Sequence, residues 1–99
     1  MTIAIEFVKI DRSASLSQYV VQKLNDVFAK YDWLVGVQVY IKKEKYPSST
    51  AYICEMKVSL AGPQIFASST KDSFEKAINS TTSDIVRQIE KRKQHQLTY

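Results

Sequence analysis

The residue types that most often perform catalysis are scarce in this sequence. The only histidine, His95, lies among polar residues near the C-terminal end, and general-base catalysis needs an imidazole held in a fixed position. The only cysteine, Cys54, alternates with apolar residues, which is typical of a small buried side chain. One cysteine and one histidine cannot build a zinc site, and the two glycines are too far apart to form a phosphate-binding loop. The sequence therefore predicts a protein that is not an enzyme and that uses no metal, no cofactor and no small-molecule substrate.

Clustered cations are the better candidates for function. Arg87, Lys91, Arg92 and Lys93 accompany a single acid, Glu90. A surface of this kind attracts the phosphates of a nucleic acid, and such binding weakens as the salt concentration rises. Cations at the end of a helix also complement the helix dipole, so a solvated helix end remains an alternative interpretation.

A second group of cations, Lys42, Lys43 and Lys45, is interleaved with Tyr40 and Tyr46. Aromatic rings among cations can stack on unpaired bases. The alternative is a charged strand end that prevents edge-to-edge pairing of sheets. We expect these lysines at the end of a strand and in the loop that follows it, with residues 46–49 in the loop.

Hydrophobic periodicity predicts the elements that position these clusters. Alternation with a period of two predicts strands β1 (residues 3–8), β2 (35–42), β3 (52–60) and β4 (64–69). Apolar residues at helical spacing predict helices α1 (residues 16–31) and α2 (74–89). The stripe of α2 includes Thr81 and Thr82, whose hydroxyls need hydrogen-bond partners if they are buried.

The starts of the helices leave alternatives open. Either Ser13 or Ser15 can cap α1, and Thr70, Asp72 or Ser73 can cap α2.

The order β-α-β-β-β-α favours an α+β fold, a four-stranded sheet with both helices packed on one face. Ala61-Gly62-Pro63 predicts a short turn, and hence a β3–β4 hairpin, while Trp33 is expected to close the core beside the turn after α1. A chain of 99 residues is about one small domain, so we expect a single domain, residues 1–99, that is a monomer in solution.

The net charge of +4 favours an anionic partner. No apolar run approaches the ~18 residues of a membrane span, and residues 2–9 lack the pattern of a signal peptide. We therefore expect a cytoplasmic protein without a membrane partner.

Five segments in one order resemble the short form of the ribosome hibernation promoting factor family. The first two are residues 16–24 (LSQYVVQKL), similar to the family's first helix, and residues 37–45 (VQVYIKKEK), similar to its second strand. The others are residues 61–68 (AGPQIFAS), 77–79 (AIN) and 87–93 (RQIEKRK). No single segment is specific, but their ordered combination spans nearly the whole chain.

The resemblance implies a function and a set of contacts. Members lodge between the head and body of the small ribosomal subunit near the decoding centre, where they overlap the paths of messenger RNA and transfer RNA and stop translation during stress. Longer members carry a C-terminal dimerisation domain, which we do not expect here. The residues matched by position to rRNA-binding residues are Lys23, Lys43, Lys45, Arg87, Lys91 and Lys93; Lys42 and Arg92 are added from charge alone.

Some positions depart from the family pattern. Asp84 and Asp26 stand where lysine is common, Ser83 stands where aspartate precedes that lysine, and Asn79 replaces an aspartate. These changes predict a lower affinity or a redistributed contact surface.

Two other functions fit the residues. A general RNA-binding domain, such as one for double-stranded RNA, would also use a basic helix end. A protein-interaction module or small enzyme would carry the basic patch for solubility only.

Overall fold

The predicted order of elements is confirmed. A computed structural model describes residues 1–62 and 64–97, with the side chains of 93–97 left out of the description. The elements are β1 (Thr2–Phe7), α1 (Ala14–Phe28), β2 (Gly36–Tyr46), β3 (Ser49–Ser59), β4 (Ile65–Lys71) and α2 (Phe74–Leu97).

The four strands form one sheet in the order β1-β2-β3-β4. β1 is parallel to β2, and the other two pairings are antiparallel. Alternate residues of the strands face the core, and Val39, Cys54 and Met56 are fully buried there. Residues of both helices belong to the same core, so the helices cover this face and leave the opposite face open.

Helix α2 is attached to the sheet by polar as well as apolar contacts. Thr81 and Thr82 are buried. The hydroxyl of Thr81 lies 3.0 Å from the carbonyl oxygen of Cys54 and 2.8 Å from that of Ala77, and Thr82 donates to Ile78. The predicted need for partners is therefore met, because each hydroxyl reaches a backbone carbonyl.

The β2–β3 hairpin is longer than the sequence predicts. Tyr46 pairs with Ser49, so only residues 47 and 48 form the turn, and the expected loop over residues 46–49 is wrong. Lys43 and Lys45 lie within β2 and not in a loop. The two polar arms satisfy each other's backbone groups, which extends both strands past the last pairing of β1, between Phe7 and Ile41.

The structure resolves which residues begin the helices. Ser13 caps α1, because its Oγ accepts from the backbone N–H of Leu16 at 3.2 Å. Ser73 does the same for α2 through the N–H of Lys76. Asp72 instead pairs with the Lys76 side chain at 3.1 Å.

The predicted β3–β4 hairpin is confirmed by the pairing of Val58 with Ile65. In its turn, Gly62 has a φ of +105°, which favours glycine; Pro63 lies outside the described residues. Trp33 packs partly buried against the core, edge-on to the ring of Tyr31.

Candidate nucleic-acid interface

The second half of α2 runs beside the edge strand β4 and forms a groove with it, which we call the β4–α2 groove. The amide Nε2 of Gln88 donates to the carbonyl oxygen of Phe66 at 2.9 Å and fixes the helix against the strand. The groove encloses about 520 Å³, and its walls are Phe66, Ala67, Ser68, Asp84, Arg87, Gln88 and Lys91. The structure thus brings together two predicted site residues, Arg87 and Lys91, which lie one helical turn apart.

Arg87 is exposed but not unpaired. Its guanidinium forms an ion pair with Asp84, three residues earlier on the same helix. The Arg87 side chain remains 73% exposed, and a solvent-exposed ion pair of this kind is weak. An incoming phosphate therefore has access to Arg87, in competition with the carboxylate of Asp84.

Glu90, the acid predicted to sit among these cations, is bound elsewhere. Its Oε2 accepts from the hydroxyl of Tyr31 at 2.5 Å. Burial, followed by this hydrogen bond and the charge of Glu90, raises the pKa of Tyr31 to about 12. Because Glu90 is directed to the loop after α1, it does not line the β4–α2 groove with Lys91.

The other predicted contacts on α2 are Arg92 and Lys93, of which Arg92 is not among the residues that line the β4–α2 groove. The side chain of Arg92 is half-buried, and one of its guanidinium nitrogens lies close to Gly62, 3.8 Å from the position that a Cβ would take there. Arg92 therefore packs against the β3–β4 turn. The side chain of Lys93 lies outside the described residues, as does that of His95.

Lys23 lies in a different groove, between the two helices, which we call the interhelical groove. Its volume is about 480 Å³, and its walls also include Asp26, Lys30 and Ser83. Lys30, which lies just after the end of α1, was not among the predicted site residues. Two departures from the family pattern, Asp26 and Ser83, thus line one groove.

The lysines of the β2–β3 hairpin form a separate group. Lys43 and Lys45 are exposed, whereas the Nζ of Lys42 lies 3.0 Å from Oε1 of Glu55 on the open face of the sheet. On β3, Tyr52 pairs with Lys43 of the hairpin, and Lys57 pairs with Phe66 of the groove. The distance along β3 from Tyr52 to Lys57 is about 17 Å, so the hairpin lysines and the β4–α2 groove lie at least that far apart along the strands. The predicted site is therefore divided between two ends of the sheet.

The two tyrosines near these lysines are placed differently. Tyr46 is 53% exposed at the hairpin tip, and its hydroxyl donates to Glu44, a bond that raises its pKa. Tyr40 lies on the open face, 5.9 Å from the Nζ of Lys57 to the ring centroid.

The cysteine considered for chemistry in the sequence is enclosed in the core. Cys54 is fully buried, and desolvation raises its pKa to about 12, so its thiol stays protonated at neutral pH. Among the described residues, no three histidine, cysteine or acidic side chains are grouped to hold a metal ion. None of the helices described is both long enough and apolar enough to cross a membrane.

The fold and these cations define a class, the small α+β domains that cover one sheet face with two helices and carry exposed basic residues on the last helix. Within that class, the family model described as sigma 54 modulation protein / S30EA ribosomal protein matches residues 3–96. The chain belongs to this family, and the resemblance found in the sequence is confirmed.

Two solved structures share the fold. A ribosomal subunit interface protein from Coxiella burnetii superposes with a TM-score of 0.84 at 22% identity, over 94% of this chain and 98% of that one. The N-terminal domain of Protein Y from Thermus thermophilus gives a TM-score of 0.69 at 14% identity, over 91% and 93% of the two chains. No curated protein matches this sequence.

Proposed function

We propose that this protein is a non-enzymatic, cytoplasmic inhibitor that binds the small ribosomal subunit. It occupies the channel for messenger RNA and transfer RNA near the decoding centre, stops translation and promotes ribosome hibernation under stress. Family membership supports this proposal, and so does the similarity to a protein named for the ribosomal subunit interface.

The observation that carries the proposal is the joint exposure of Arg87 and Lys91 in the β4–α2 groove. Both residues stand where the resemblance implies rRNA contacts, and α2 holds them on one rigid face. Phosphate contacts position a protein on RNA. Lys23 in the interhelical groove and Lys43 and Lys45 on the hairpin extend the proposed contact surface to other sides of the domain.

Inhibition by occlusion needs a folded body held in place, with no chemical step. The contacts with rRNA supply the affinity, and the buried core supplies the rigidity that keeps RNA from displacing the domain. Each cation that neutralises a phosphate releases counterions, so affinity falls steeply with salt.

The test compares two double variants that remove the same charge. Arg87→Gln/Lys91→Gln changes the groove, while Lys71→Gln/Lys76→Gln changes two exposed lysines away from it, one at the end of β4 and one in the first turn of α2. The match is close, because each double variant also breaks one ion pair, Arg87–Asp84 or Lys76–Asp72. Co-sedimentation with small subunits is measured across a salt series.

We expect the groove variant to bind more weakly and its log–log salt slope to fall by about two units, one for each lost phosphate contact. The Lys71/Lys76 variant should keep most of the affinity and should still stop translation in vitro. Equal losses in the two variants would overturn the site. Binding of the unchanged protein to free duplex RNA but not to ribosomes would replace the proposal with a general RNA-binding function.

A further inference from the structure

The open face of the sheet, opposite the two helices, carries an exposed aromatic ring. Phe66 lies between Ile65 and Ala67, which face the core, so alternation along β4 turns its side chain away from α2. The side chain is 49% exposed, although it belongs to a strand and not to a loop. Because β4 is an edge strand, a ligand can approach the ring from above the sheet and from its side.

Lys57 lies beside this ring on the neighbouring strand. It is the cross-strand partner of Phe66, and side chains in such pairs begin about 5 Å apart on the same face. Towards β2, the Nζ of Lys57 lies 5.9 Å from the centroid of the Tyr40 ring, a distance at which a ring attracts a cation. Lys57 is exposed, and no described acid forms an ion pair with it.

The two acids of the open face that lie nearest to Lys57 are engaged or distant. Glu55, two residues before Lys57 on β3, forms an ion pair with Lys42 at 3.0 Å. Glu6 lies on β1, three strands and hence about 14 Å from β4 and Phe66. The local charge beside the ring is therefore positive, which suits a ligand that joins a flat apolar group to an anion.

We propose that the open face binds an unpaired RNA nucleotide, with its base stacked on Phe66 and its phosphate held by Lys57. This inference rests on the proposed function, because it specifies the form of RNA that the protein takes. Bases can stack on a protein ring only where they are unpaired, since in an A-form duplex neighbouring bases cover their faces. Stacking on an aromatic ring tolerates any base, so the site recognises the single-stranded state and not the sequence.

The open face is continuous with the β4–α2 groove, and β4 forms the rim between them. The backbone carbonyl of Phe66 contacts Gln88 of α2, whereas its ring lies on the other face of the sheet. An RNA strand whose phosphates bind Arg87 and Lys91 in the groove can therefore continue over this edge to the ring. In the described part of the chain, no strand beyond β4 blocks that path.

A nucleotide matches this face better than an apolar peptide does. A peptide that covered Phe66 with an apolar side chain would also cover the ammonium of Lys57 without an anion to pair with it, which costs free energy of desolvation. A nucleotide supplies a phosphate for this ammonium together with a flat ring, and hydrogen bonds between an ammonium and a phosphate are strong.

The test removes the ring and the charge separately. Phe66→Ala removes the ring, Phe66→Leu keeps an apolar side chain without a π face, and Phe66→Trp keeps a stacking surface. Lys57→Gln removes the charge. Thermal unfolding by circular dichroism establishes that each variant is folded.

Each change has a matched control. Val35→Ala is the control for the ring, because Val35 is an apolar residue that is 64% exposed and precedes β2. Lys71→Gln is the control for the charge, because Lys71 is an exposed lysine of β4. It follows Phe66 by an odd number of residues, so alternation places it on the opposite face of the sheet.

Binding is measured by anisotropy with fluorescein-labelled single-stranded oligoadenylate and with duplex RNA, and by co-sedimentation with small subunits. We expect Phe66→Ala and Phe66→Leu to bind oligoadenylate and small subunits roughly tenfold more weakly, while Phe66→Trp and Val35→Ala bind like the unchanged protein. Duplex binding should be equal in all the variants of Phe66. Oligoadenylate should also quench the emission that the added tryptophan of Phe66→Trp contributes beyond that of Trp33.

The dependence on salt separates the two parts of the site. Lys57→Gln should lower the log–log salt slope for oligoadenylate by about 0.7, the value for one phosphate contact on a single strand. Phe66→Ala should leave this slope unchanged, because a stacked base releases no counterions. Lys71→Gln should leave it unchanged as well, since its side chain lies away from the site.

The outcomes separate this inference from the proposed function. The inference is overturned if the unchanged protein does not bind oligoadenylate, if Phe66→Leu binds it as tightly as the unchanged protein, if the added tryptophan is not quenched, or if Lys57→Gln keeps the full salt slope. Each of these results leaves the proposed function standing where small subunits are still bound through Arg87 and Lys91. If the unchanged protein fails to bind small subunits, the proposed function falls, and the oligoadenylate measurements alone decide the open face.

Discussion

Single residues decide how strongly the β4–α2 groove attracts an anion. Arg87 is shared between solvent and Asp84, whereas Glu90 is directed away from the groove by its hydrogen bond to Tyr31. Of the two acids nearest the cations in sequence, only Asp84 lines the groove. The carboxylate of Asp84 is negatively charged and therefore lowers the positive potential at the proposed site.

Replacing Asp84 with asparagine should tighten binding. The substitution removes the competitor for Arg87 and raises the local positive charge, so we expect affinity for small subunits to rise several-fold at low salt, roughly the effect of 1 kcal/mol. Co-sedimentation titrations measure this change. Glu75→Gln is the control, because it removes an exposed acid from the first turn of the same helix, away from the groove. Equal gains in both variants would show that net charge, not release of Arg87, controls binding.

At the scale of elements, helix α1 depends on one of two candidate serines. The Oγ of Ser13 accepts from the N–H of Leu16, and the carbonyl of Ser13 accepts from the N–H of Ser17. The hydroxyl of Ser15 contacts only the side chain of Ser13, at 3.2 Å, in an exposed position. Ser13 therefore satisfies backbone groups that the first turn of the helix leaves unpaired.

Ser13→Ala should lower the free energy of unfolding by about 1 kcal/mol, because a backbone N–H at the start of α1 loses its acceptor. Ser15→Ala should change it by less than about 0.5 kcal/mol. Urea unfolding of the two variants measures both values. A larger loss in Ser15→Ala would mean that the helix begins two residues later than the structure shows.

Local sequence patterns predicted the helices and strands well, but they could not predict which strands and helices contact each other. Ile78, Ile85 and Ile89 repeat at helical spacing, so the buried stripe of α2 was visible in the sequence. The extension of β2 was not, because lysines and tyrosines in a hairpin arm resemble a loop until the partner strand is known. The β4–α2 groove was predicted only in part: Arg87 and Lys91 form a cluster in the sequence, but the backbone of Phe66 joins them only through the packing of α2 on β4.

Two titrating groups of the described part of the chain are buried in the core of the molecule. Tyr31 is 2% exposed and Cys54 is fully buried, and burial raises both pKa values to about 12. Their charged forms are therefore disfavoured in the folded state. Neither group affects stability at neutral pH, where both are protonated in the folded and the unfolded chain.

Stability should fall as the pH rises through the interval between the ordinary tyrosine pKa of 10 and about 12. In this interval the unfolded chain releases the Tyr31 proton while the folded protein retains it, so unfolding becomes more favourable with pH. Tyr31→Phe removes this titration, and its unfolding midpoint in urea should fall less steeply over the same interval. Cys54 contributes to the fall that remains, because its pKa is also raised in the folded protein, and its contribution begins above its ordinary pKa of 9. Parallel curves for the two proteins would contradict the role of Tyr31.

The order of the strands in the sheet has a consequence for the kinetics of folding. Spatial order equals chain order, and β2, β3 and β4 join through short turns, so loop closure costs little entropy for these three strands. The parallel pairing of β1 with β2 must wait for the chain to return across α1. We therefore expect β2, β3, β4 and α2 to form the folding nucleus and β1 to join last, so that, in pulsed hydrogen exchange during refolding, amide protons of β1 become protected later than those of the central strands.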